Sequence, residues 1–243
     1  MSATDNRQAN SVQTYARTAG VLFLVSIIAG GFGEGYAPGV LIHGNDAAAT
    51  VAALREQDTL FRLSFAAYLV EAICDIAIAL IFYVLLRPVS RGLALLAAFF
   101  GIISTVTYAC CELFYFGLPH LLLSDAEYLR TFTPDQIATL TLLSLKLFSY
   151  GAGLFLVFYG ISWIIRGWLM IRSGYLPSLL GVLMIIGGLG FAARTFTGVL
   201  APQYASSIML FLMAPGGVLL SLWLLVRGVN QAKWDARVAS AAN

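Results

Sequence analysis

Charge is scarce in this sequence. Aspartate, glutamate, lysine and arginine together make up 11% of the 243 residues, whereas hydrophobic residues make up 60%, and the mean hydropathy is +0.86. A soluble domain carries about a quarter charged residues, so this chain has too few to cover a globule of its size. The shortage excludes a soluble domain, and the excess apolar surface is expected to face lipid.

Other absences exclude several kinds of chemistry. The net charge is only +2 and no basic run is interleaved with aromatic residues, so we exclude a nucleic-acid partner. The sequence has no CxxC, HExxH or GxSxG motif, which argues against thioredoxin-like redox work, a zincin site and a hydrolase nucleophile. The only plausible metal ligands are Glu71, Asp75, Glu112 and His120. His120 follows a proline at a helix end and is expected in the headgroup region, so we predict no metal site. No cofactor is indicated. The cysteines lie in apolar stretches and are expected to be buried packing residues: Cys74, Cys110 and Cys111.

Long apolar runs are what the sequence has instead. A membrane-spanning helix needs about 20 mostly apolar residues, and six segments meet this requirement: about 18–38, 62–86, 92–118, 137–165, 176–198 and 207–227. The run GGFGEG at 30–35 is expected to break the first segment near its end. We therefore predict an all-α polytopic membrane protein, a six-transmembrane-helix bundle. The predicted divisions are an N-terminal tail (1–17), the helical domain (18–227) and a C-terminal tail (228–243).

Basic residues cluster at one set of helix ends. They precede segment one, flank the links after segments two and four, and follow segment six: Arg7, Arg17, Arg87, Arg91, Arg166, Arg172, Arg227, Lys233 and Arg237. The opposite loops hold only Arg55, Arg62 and Arg130. Because basic loops stay in the cytoplasm, both termini are predicted to be cytoplasmic. Three tryptophans are predicted to be interfacial anchors at the same ends: Trp163, Trp168 and Trp223.

The two longer loops carry signals for helix starts. Asn45 or Asp46 can cap a short helix in loop 43–61, since the side-chain oxygen accepts a hydrogen bond from a free backbone N–H. The capping-box pattern occurs at 124–127 and again at 133–136, before segment four. These loops are therefore predicted to be ordered.

Six charged residues lie in or near the predicted spans, where a charge costs about 2.5–3.5 kcal/mol at the bilayer centre. They are Glu34, Glu71, Asp75, Glu112, Lys146 and Arg194. At about 1.5 Å per residue, five of them collect in the outer half of the membrane and Asp75 lies deepest. Spacings of three or four residues place them on polar helix faces with other groups, including Tyr68 and Tyr108. We predict that these eight residues line one polar chamber that opens to the outer side and narrows toward Asp75.

The charges leave two interpretations open. Lys146 and Arg194 can serve as bases for nearby carboxylates, and pairs with Glu71 and Glu112 would then hold the helices together. The acids outnumber the bases, however, so at least one carboxylate lacks a fixed base and tends to bind a proton. Asp75 is expected to be that group because it is deepest and farthest from the bases. A titrating carboxylate at mid-membrane is typical of a proton-coupled carrier.

Five short motifs occur in a fixed order along the chain. They are GNDAAAT at 44–50, LFRL at 60–63, YVLLRPV at 83–89, SGYLPSLLGVLMIIGG at 173–188 and LWLLVRGV at 222–229. As a set they resemble a bacterial multi-pass membrane family known as a domain of unknown function, number four-three-eight-six. The resemblance covers roughly residues 15–230. It implies six helices in a bacterial cytoplasmic (inner) membrane, and it implies no activity.

Three functions remain open at this stage. The first is binding or transport of a small molecule or lipid in an outward-facing pocket, with proton coupling. The second is an intramembrane enzyme that acts on a lipid-like or quinone-like molecule, with Glu71 or Glu112 as acid or base and Arg194 holding an anionic head group. The third is a structural bundle whose charges are paired internally. Membrane lipids are the expected partners, and the sequence does not define the oligomeric state.

Overall fold

The computed structural model of the chain describes residues 3–204 and 214–241. No β-strand occurs among these residues, and the predicted all-α class is confirmed. The helices are α1 (Ala3–Gly30), α2 (Ala37–Leu41), α3 (Ala47–Glu56), α4 (Asp58–Leu86), α5 (Arg91–Glu112), α6 (Leu118–Leu122), α7 (Pro134–Ser173), α8 (Ser178–Leu200), α9 (Ala214–Val226) and α10 (Gln231–Ala241). Two π-helical segments (Gly31–Tyr36 and Leu113–Gly117) and two short 3₁₀ turns (Glu127–Thr131 and Pro202–Tyr204) lie between them.

Five stretches of the described chain are long and apolar enough to cross a membrane. They are Val12–Leu41, Asp58–Leu86, Arg91–Leu122, Pro134–Ser173 and Ser178–Leu200. Helix α9 is shorter, with Pro215–Val226 as its apolar part. Positions 207–213 of the predicted sixth segment lie outside the described residues. The described structure therefore contains five spans of sufficient length, where the sequence predicts six.

The long helices and α9 pack as a closed ring. Each contacts the next in the order α1, α4, α5, α7, α8 and α9, and α9 contacts α1 again. Short links make α4–α5 and α7–α8 antiparallel neighbours, as in helix bundles generally. We call the end that carries α3 and α6 the loop end, and the opposite end, which carries α10, the terminal end. The ring turns one face of each helix toward a common interior.

Helices α7 and α8 approach through glycines. A Cβ added at Gly160 would lie 2.5 Å from the carbonyl oxygen of Gly188, and one added at Gly188 would lie 2.5 Å from the carbonyl of Gly160. Gly167 and Gly181 form a second reciprocal pair, with distances of 2.5 and 2.6 Å. Small residues let helix backbones come this close. Gly188 belongs to the glycine-rich run GGLGF at 187–191, which therefore serves helix packing.

Helix α7 is longer than predicted. It covers Pro134–Ser173 rather than 137–165. At about 1.5 Å per residue, the observed helix is about twice as long as a bilayer core is thick. Gly160 pairs with Gly188 and Gly167 with Gly181 on these antiparallel helices. Continuing the same register along both helices places Phe148 level with Leu200, the last residue of α8. The first turns of α7 thus extend past α8 at the loop end and pack on α3 and α6. Lys146 lies near that level, toward the loop end of the bundle.

The first span does not break at its glycine run. Residues Gly31–Tyr36 form a π-helical segment, and the chain continues as α2. The second π-helical segment, Leu113–Gly117, directly follows Glu112. Single π turns inside α-helices are frequent at functional sites. Here both segments are associated with an acidic residue: Glu34 lies within the first, and Glu112 directly precedes the second.

The terminal end is closed by hydrogen bonds to α4. The Tyr175 hydroxyl donates to the Leu85 carbonyl at 2.6 Å, and the Trp234 indole N–H donates to the same oxygen at 3.4 Å. Burial raises the pKa of the Tyr175 hydroxyl, which keeps it protonated as a donor. Trp234 is buried, so α10 lies against the bundle and the predicted C-terminal tail is helical there.

The predicted helix starts at the loop end are partly confirmed. Asp46 caps α3 by accepting a hydrogen bond from a backbone N–H at 2.9 Å. Thr133 and Gln136 form the predicted capping box of α7. The capping box predicted at 124–127 is wrong, because the Ser124 hydroxyl donates to a carbonyl of the preceding helix. A 3₁₀ turn follows without a side-chain cap.

Candidate functional site

Four carboxyl groups of the predicted chamber meet where α1, α4 and α5 pack together. Glu34 lies in the first π-helical segment, and Glu112 ends α5. Glu71 and Asp75 are one turn apart on α4. Glu112 is 4% exposed, and the other three are half-buried. Glu71 lies within electrostatic range of all three of the others.

The Glu71 carboxyl packs directly on the backbone of α1. A Cβ at Gly30 would lie 2.7 Å from Oε1 of Glu71. One turn further, a Cβ at Gly33 would lie 2.9 Å from the Ser64 carbonyl of α4. The glycine run therefore does not end the helix. It brings α1 close enough to α4 for Glu34 and Glu71 to share one space.

Glu34 lies at the centre of the cluster. Its carboxyl lies near the Tyr108 hydroxyl and the Glu71 carboxyl. The Tyr108 ring packs on Tyr68 with centroids 5.0 Å apart, and the Tyr68 hydroxyl donates to a backbone carbonyl of α5 at 3.4 Å. Oε1 of Glu34, Oε2 of Glu71 and Oε2 of Glu112 have no hydrogen-bond partner in the described part of the chain. Buried polar atoms normally have partners, so this cluster is only partly satisfied by the protein.

Asp75 has a hydroxyl partner and a nearby base, whereas the sequence predicts that it lies farthest from the bases. The Ser26 hydroxyl of α1 donates to its Oδ1 at 2.8 Å. Arg166 of α7 lies within electrostatic range of the Asp75 carboxylate. The two do not form a direct ion pair among the described residues. Asp75 thus belongs to a separate polar layer, one turn from Glu71 toward the terminal end.

Arg166 is the functional candidate that the sequence analysis placed wrongly. It was assigned to the link after segment four, but it lies inside α7 and is 2% exposed. Its guanidinium is 5.3 Å from the centroid of the Phe82 ring, and its Nη2 is 2.7 Å from where a Cβ at Gly101 would lie. Its Nε has no hydrogen-bond partner among the described residues. A sequence signal exists, since Tyr159, Ser162 and Arg166 follow helical spacing on one face.

Two cavities adjoin the carboxyl cluster. The central cavity has a volume of about 470 Å³, and its walls include Ser26, Gly30, Glu71 and Trp163. The loop-end cavity has a volume of about 480 Å³, and its walls include Pro38, Tyr108, Ser149 and Gly153. Glu34 and Arg194 line both cavities. The structure thus brings these two predicted residues to the place where the cavities meet.

The two predicted intramembrane bases do not pair with the carboxylates. In the described chain only Arg62 and Asp58 form an ion pair, at 2.6 Å. Lys146 is exposed and lines neither cavity, so the structure does not bring it to the site. The buried face of α7 instead passes through Ser144, which donates to a carbonyl of the neighbouring π-helical segment at 2.6 Å. Positions two apart on a helix do not share a face, so Lys146 is not on the face of Ser144.

Aromatic rings form much of the wall of the central cavity. The lining rings are Phe23, Phe155, Tyr159, Trp163 and Phe191. Trp163 is central among them, with ring centroids 6.0 Å from Phe23, 5.5 Å from Tyr159 and 5.3 Å from Phe191. It is 3% exposed, so the prediction that it anchors the bundle at the membrane interface is wrong.

The remaining reactive side chains lie elsewhere. All three cysteines are free; Cys74 and Cys111 are buried as predicted, whereas Cys110 is exposed. His120 stacks on Phe116 at the loop end, with centroids 5.2 Å apart. Within the described residues, no three or more histidines, cysteines or acidic residues are grouped in a way that could hold a metal ion.

These features define an all-helical protein with five helices long and apolar enough to cross a membrane, and with a partly satisfied carboxyl cluster beside two interior cavities. The chain belongs to the family described as Domain of unknown function (DUF4386), which matches residues 18–228. The resemblance drawn from the five motifs is confirmed.

One relative and the solved structures add little about activity. A protein of Archaeoglobus fulgidus described as an uncharacterized protein is 28% identical over 159 residues, which cover 64% of this chain and 78% of the relative. No solved structure matches the chain. The family is therefore known, and function has to be argued from the site.

Proposed function

We propose that this protein binds a small molecule in its intramembrane cavities and transports it in exchange with protons. The observation that carries the proposal is the approach of Glu34 and Glu71 on the wall of the central cavity. Small-molecule sites are mostly apolar cavities of about 300–1,000 Å³ with a few convergent polar groups. The central cavity has this size and this kind of lining.

The proton enters the proposal through the chemistry of a carboxyl pair. Two neighbouring carboxyl groups can share a hydrogen bond only if one of them carries a proton, since an ionised carboxylate only accepts. Two ionised carboxylates about 4 Å apart repel by about 4 kcal/mol at an effective dielectric constant of about 20. A proton shared by Glu34 and Glu71 removes this repulsion. Its loss adds a negative charge to the cavity wall, which couples protonation to binding.

Asp75 has a different role in this proposal. Burial disfavours a charge on Asp75, and the Ser26 hydrogen bond and the nearby Arg166 offset part of that cost. Asp75 is predicted from the sequence to bind the proton, and the proposal now gives this role to the Glu34–Glu71 pair. Asp75 and Arg166 are proposed to close the central cavity toward the terminal end.

The proposed threading is a six-helix bundle with both termini in the cytoplasm of the bacterial inner membrane. Helix α9 completes the ring, which supports its use as the sixth span. Arg166 no longer counts as a loop residue. The terminal end still carries most of the basic residues, including Arg17, Arg87, Arg91 and Arg172, and basic loops remain cytoplasmic. The loop end, with its two cavities nearby, is then the outer side.

The interpretation as a purely structural bundle has less support. It requires internal ion pairs between the intramembrane acids and bases, and the described residues contain none of the expected pairs. Three carboxyl oxygens also lack partners there. A bundle held together by its charges would satisfy these atoms.

The test of the carboxyl pair is labelling with dicyclohexylcarbodiimide, an apolar reagent that reacts with protonated carboxyl groups. We expect the purified full chain to be labelled at Glu34 or Glu71, as located by mass spectrometry of its peptides. Labelling should fall as the pH rises, because the shared proton is lost. Glu71→Gln should abolish labelling of Glu34, since the amide removes the group with which the proton is shared.

The matched control is Glu127, an exposed glutamate of the loop end. It lies outside the carboxyl cluster, so it is not expected to share a proton and should stay unlabelled. Absence of label at both Glu34 and Glu71 across the pH range, with the protein folded, would contradict the proposed function. Labelling that does not change with pH would contradict proton exchange.

A further inference from the structure

We propose that the central cavity takes an organic cation, a monovalent alkyl- or aryl-substituted ammonium-type molecule, and that the cation displaces the proton shared by Glu34 and Glu71. The inference rests on the proposed function and names its substrate class. The exchange is balanced in charge, because one proton leaves the carboxyl pair for each positive charge that binds. The inference is supported by three features of the central cavity.

The first feature is the charge on the cavity wall. The described charged side chains that line it are Glu34, Glu71 and Arg194. Arg194 is exposed and can balance one carboxylate. The second carboxylate has no base of its own, so either a proton or a bound cation must balance it. A proton and a cation therefore compete for the same negative charge.

The second feature is the aromatic wall. Five aromatic rings line the cavity together with the carboxyl groups, and Trp163 lies within 6.0 Å of three other rings by centroid. Aromatic faces attract cations by about 0.5–1 kcal/mol at exposed sites and about 2 kcal/mol where water is excluded, and tryptophan is the best of them. An inorganic ion would prefer oxygen ligands. An organic cation uses both the rings and the carboxylates.

The third feature is a buried donor without a partner. The indole N–H of Trp163 approaches the Tyr159 hydroxyl but forms no hydrogen bond of acceptable geometry with any described residue. The side chain is 3% exposed and lines the cavity. Leaving a buried donor unpaired costs about 1–3 kcal/mol. A guest with an acceptor atom beside its cationic centre would satisfy it.

Other ionisable groups face the carboxyl pair from the surrounding helices: Tyr68, Asp75, Tyr108, Glu112, Tyr159 and Arg194. The tyrosines are uncharged in neutral solution. Asp75 has Ser26 and Arg166 as partners. Glu112 is the other carboxyl from which a proton could leave. The experiment therefore includes a Glu112→Gln variant, which should keep the exchange.

The probe is tetraphenylphosphonium, a permanent organic cation that cannot itself gain or lose a proton. Calorimetric titration of the purified full chain in two buffers of different ionisation enthalpy counts the protons released. We expect about one proton released per cation bound. Affinity should rise about tenfold per pH unit while the pair is protonated, because a proton is a product of binding.

Two variants and one neutral ligand complete the experiment. Glu71→Gln should lose the proton release and weaken tetraphenylphosphonium binding at least tenfold. Glu34→Gln should have the same effects, and it serves as the test if Glu71→Gln fails to fold. Glu127→Gln, which removes an exposed carboxyl, should change nothing. Triphenylphosphine oxide, which is neutral and of similar shape, should bind at least tenfold more weakly than the cation.

The outcomes separate this inference from the proposed function. Equal binding of the neutral ligand, cation binding without proton release, or no cation binding would each overturn the substrate class. The proposed function would survive these results if Glu34 or Glu71 still showed pH-dependent carbodiimide labelling. Loss of that labelling as well would overturn both.

Discussion

At the scale of single residues, each buried charge is accommodated in its own way. Glu71 packs on the bare backbone at Gly30, and Glu34 lies beside the Tyr108 hydroxyl. Asp75 combines a hydrogen bond from Ser26 with the field of Arg166. A charged residue at the bilayer centre costs about 2.5–3.5 kcal/mol. The group with the best compensation is thus Asp75, and the carboxyls left available for protons and ligands are the glutamates.

The coupling between Asp75 and Arg166 should be measurable in the stability of the protein. Arg166→Gln should lower the unfolding temperature, because it leaves the Asp75 carboxylate without its positive neighbour. Adding Asp75→Asn should recover part of the loss. Thermal unfolding of the two single variants and the double variant in detergent gives the interaction energy, expected at about 0.5–3 kcal/mol for contacting groups in one network.

The control for this cycle is Arg172→Gln. Arg172 is on the same helix but exposed, and surface substitutions usually change the free energy of unfolding by less than about 0.5 kcal/mol. Additive effects of the Asp75 and Arg166 substitutions would show that the two residues act independently. The closed polar layer at this level would then have no basis.

At the scale of the helices, the sequence predicts where the helices lie better than it predicts which of their faces are buried. Apolar runs located α4, α5 and α8, and the capping pattern at 133–136 located the start of α7. The end of α7 was missed because Arg166 resembles a loop residue when only one helix is considered. Its compensation comes from Phe82 and Asp75 on another helix, which local sequence does not show.

The candidate site was predictable to a similar degree. Helical spacing grouped Glu71 with Asp75 and named Glu34 and Glu112. It also named Lys146, which points outward, because every polar position on α7 was assigned to the interior. The aromatic wall around Trp163 was not predicted. Phe155, Tyr159 and Trp163 share one face of α7 by their spacing of four residues. Phe23 of α1 and Phe191 of α8 join them only through the packing of the helices, which local sequence does not show.

The glycine contacts of α7 and α8 give the second prediction. Gly188→Ala should lower the free energy of unfolding by about 1–3 kcal/mol, the usual cost of overpacking. Its Cβ would lie 2.5 Å from the Gly160 carbonyl and 2.8 Å from Ile164, so the helices must separate. Denaturation of the purified protein measures the change.

Gly198→Ala on the same helix is the matched control. Nothing lies within 4 Å of the Cβ that it adds, and alanine favours the helix over glycine by about 1 kcal/mol. It should be neutral or stabilising. If Gly188→Ala were equally harmless, the reciprocal glycine contact would not set the distance between α7 and α8.

At the scale of the whole molecule, the two ends of the helix ring differ in structure. The loop end has the projecting turns of α7 and the cavity that Glu34 and Arg194 share with the central one. The terminal end is sealed by Tyr175 and Trp234 on one carbonyl of α4. A carrier must close one end while the other is accessible. The polar layer of Asp75 and Arg166 lies between the cavities and the sealed end.

The orientation of these ends gives the last prediction. In a background with the three native cysteines changed to alanine, Glu127→Cys reports on the loop end and Arg91→Cys on the terminal end. Both positions are exposed. A membrane-impermeant maleimide added to intact spheroplasts should label the first variant at once and the second only after lysis, because basic loops remain in the cytoplasm. The reverse pattern would turn the cavities toward the cytoplasm and invert the proposed direction of exchange. Labelling of both before lysis would show that the helices do not separate the two ends across a membrane.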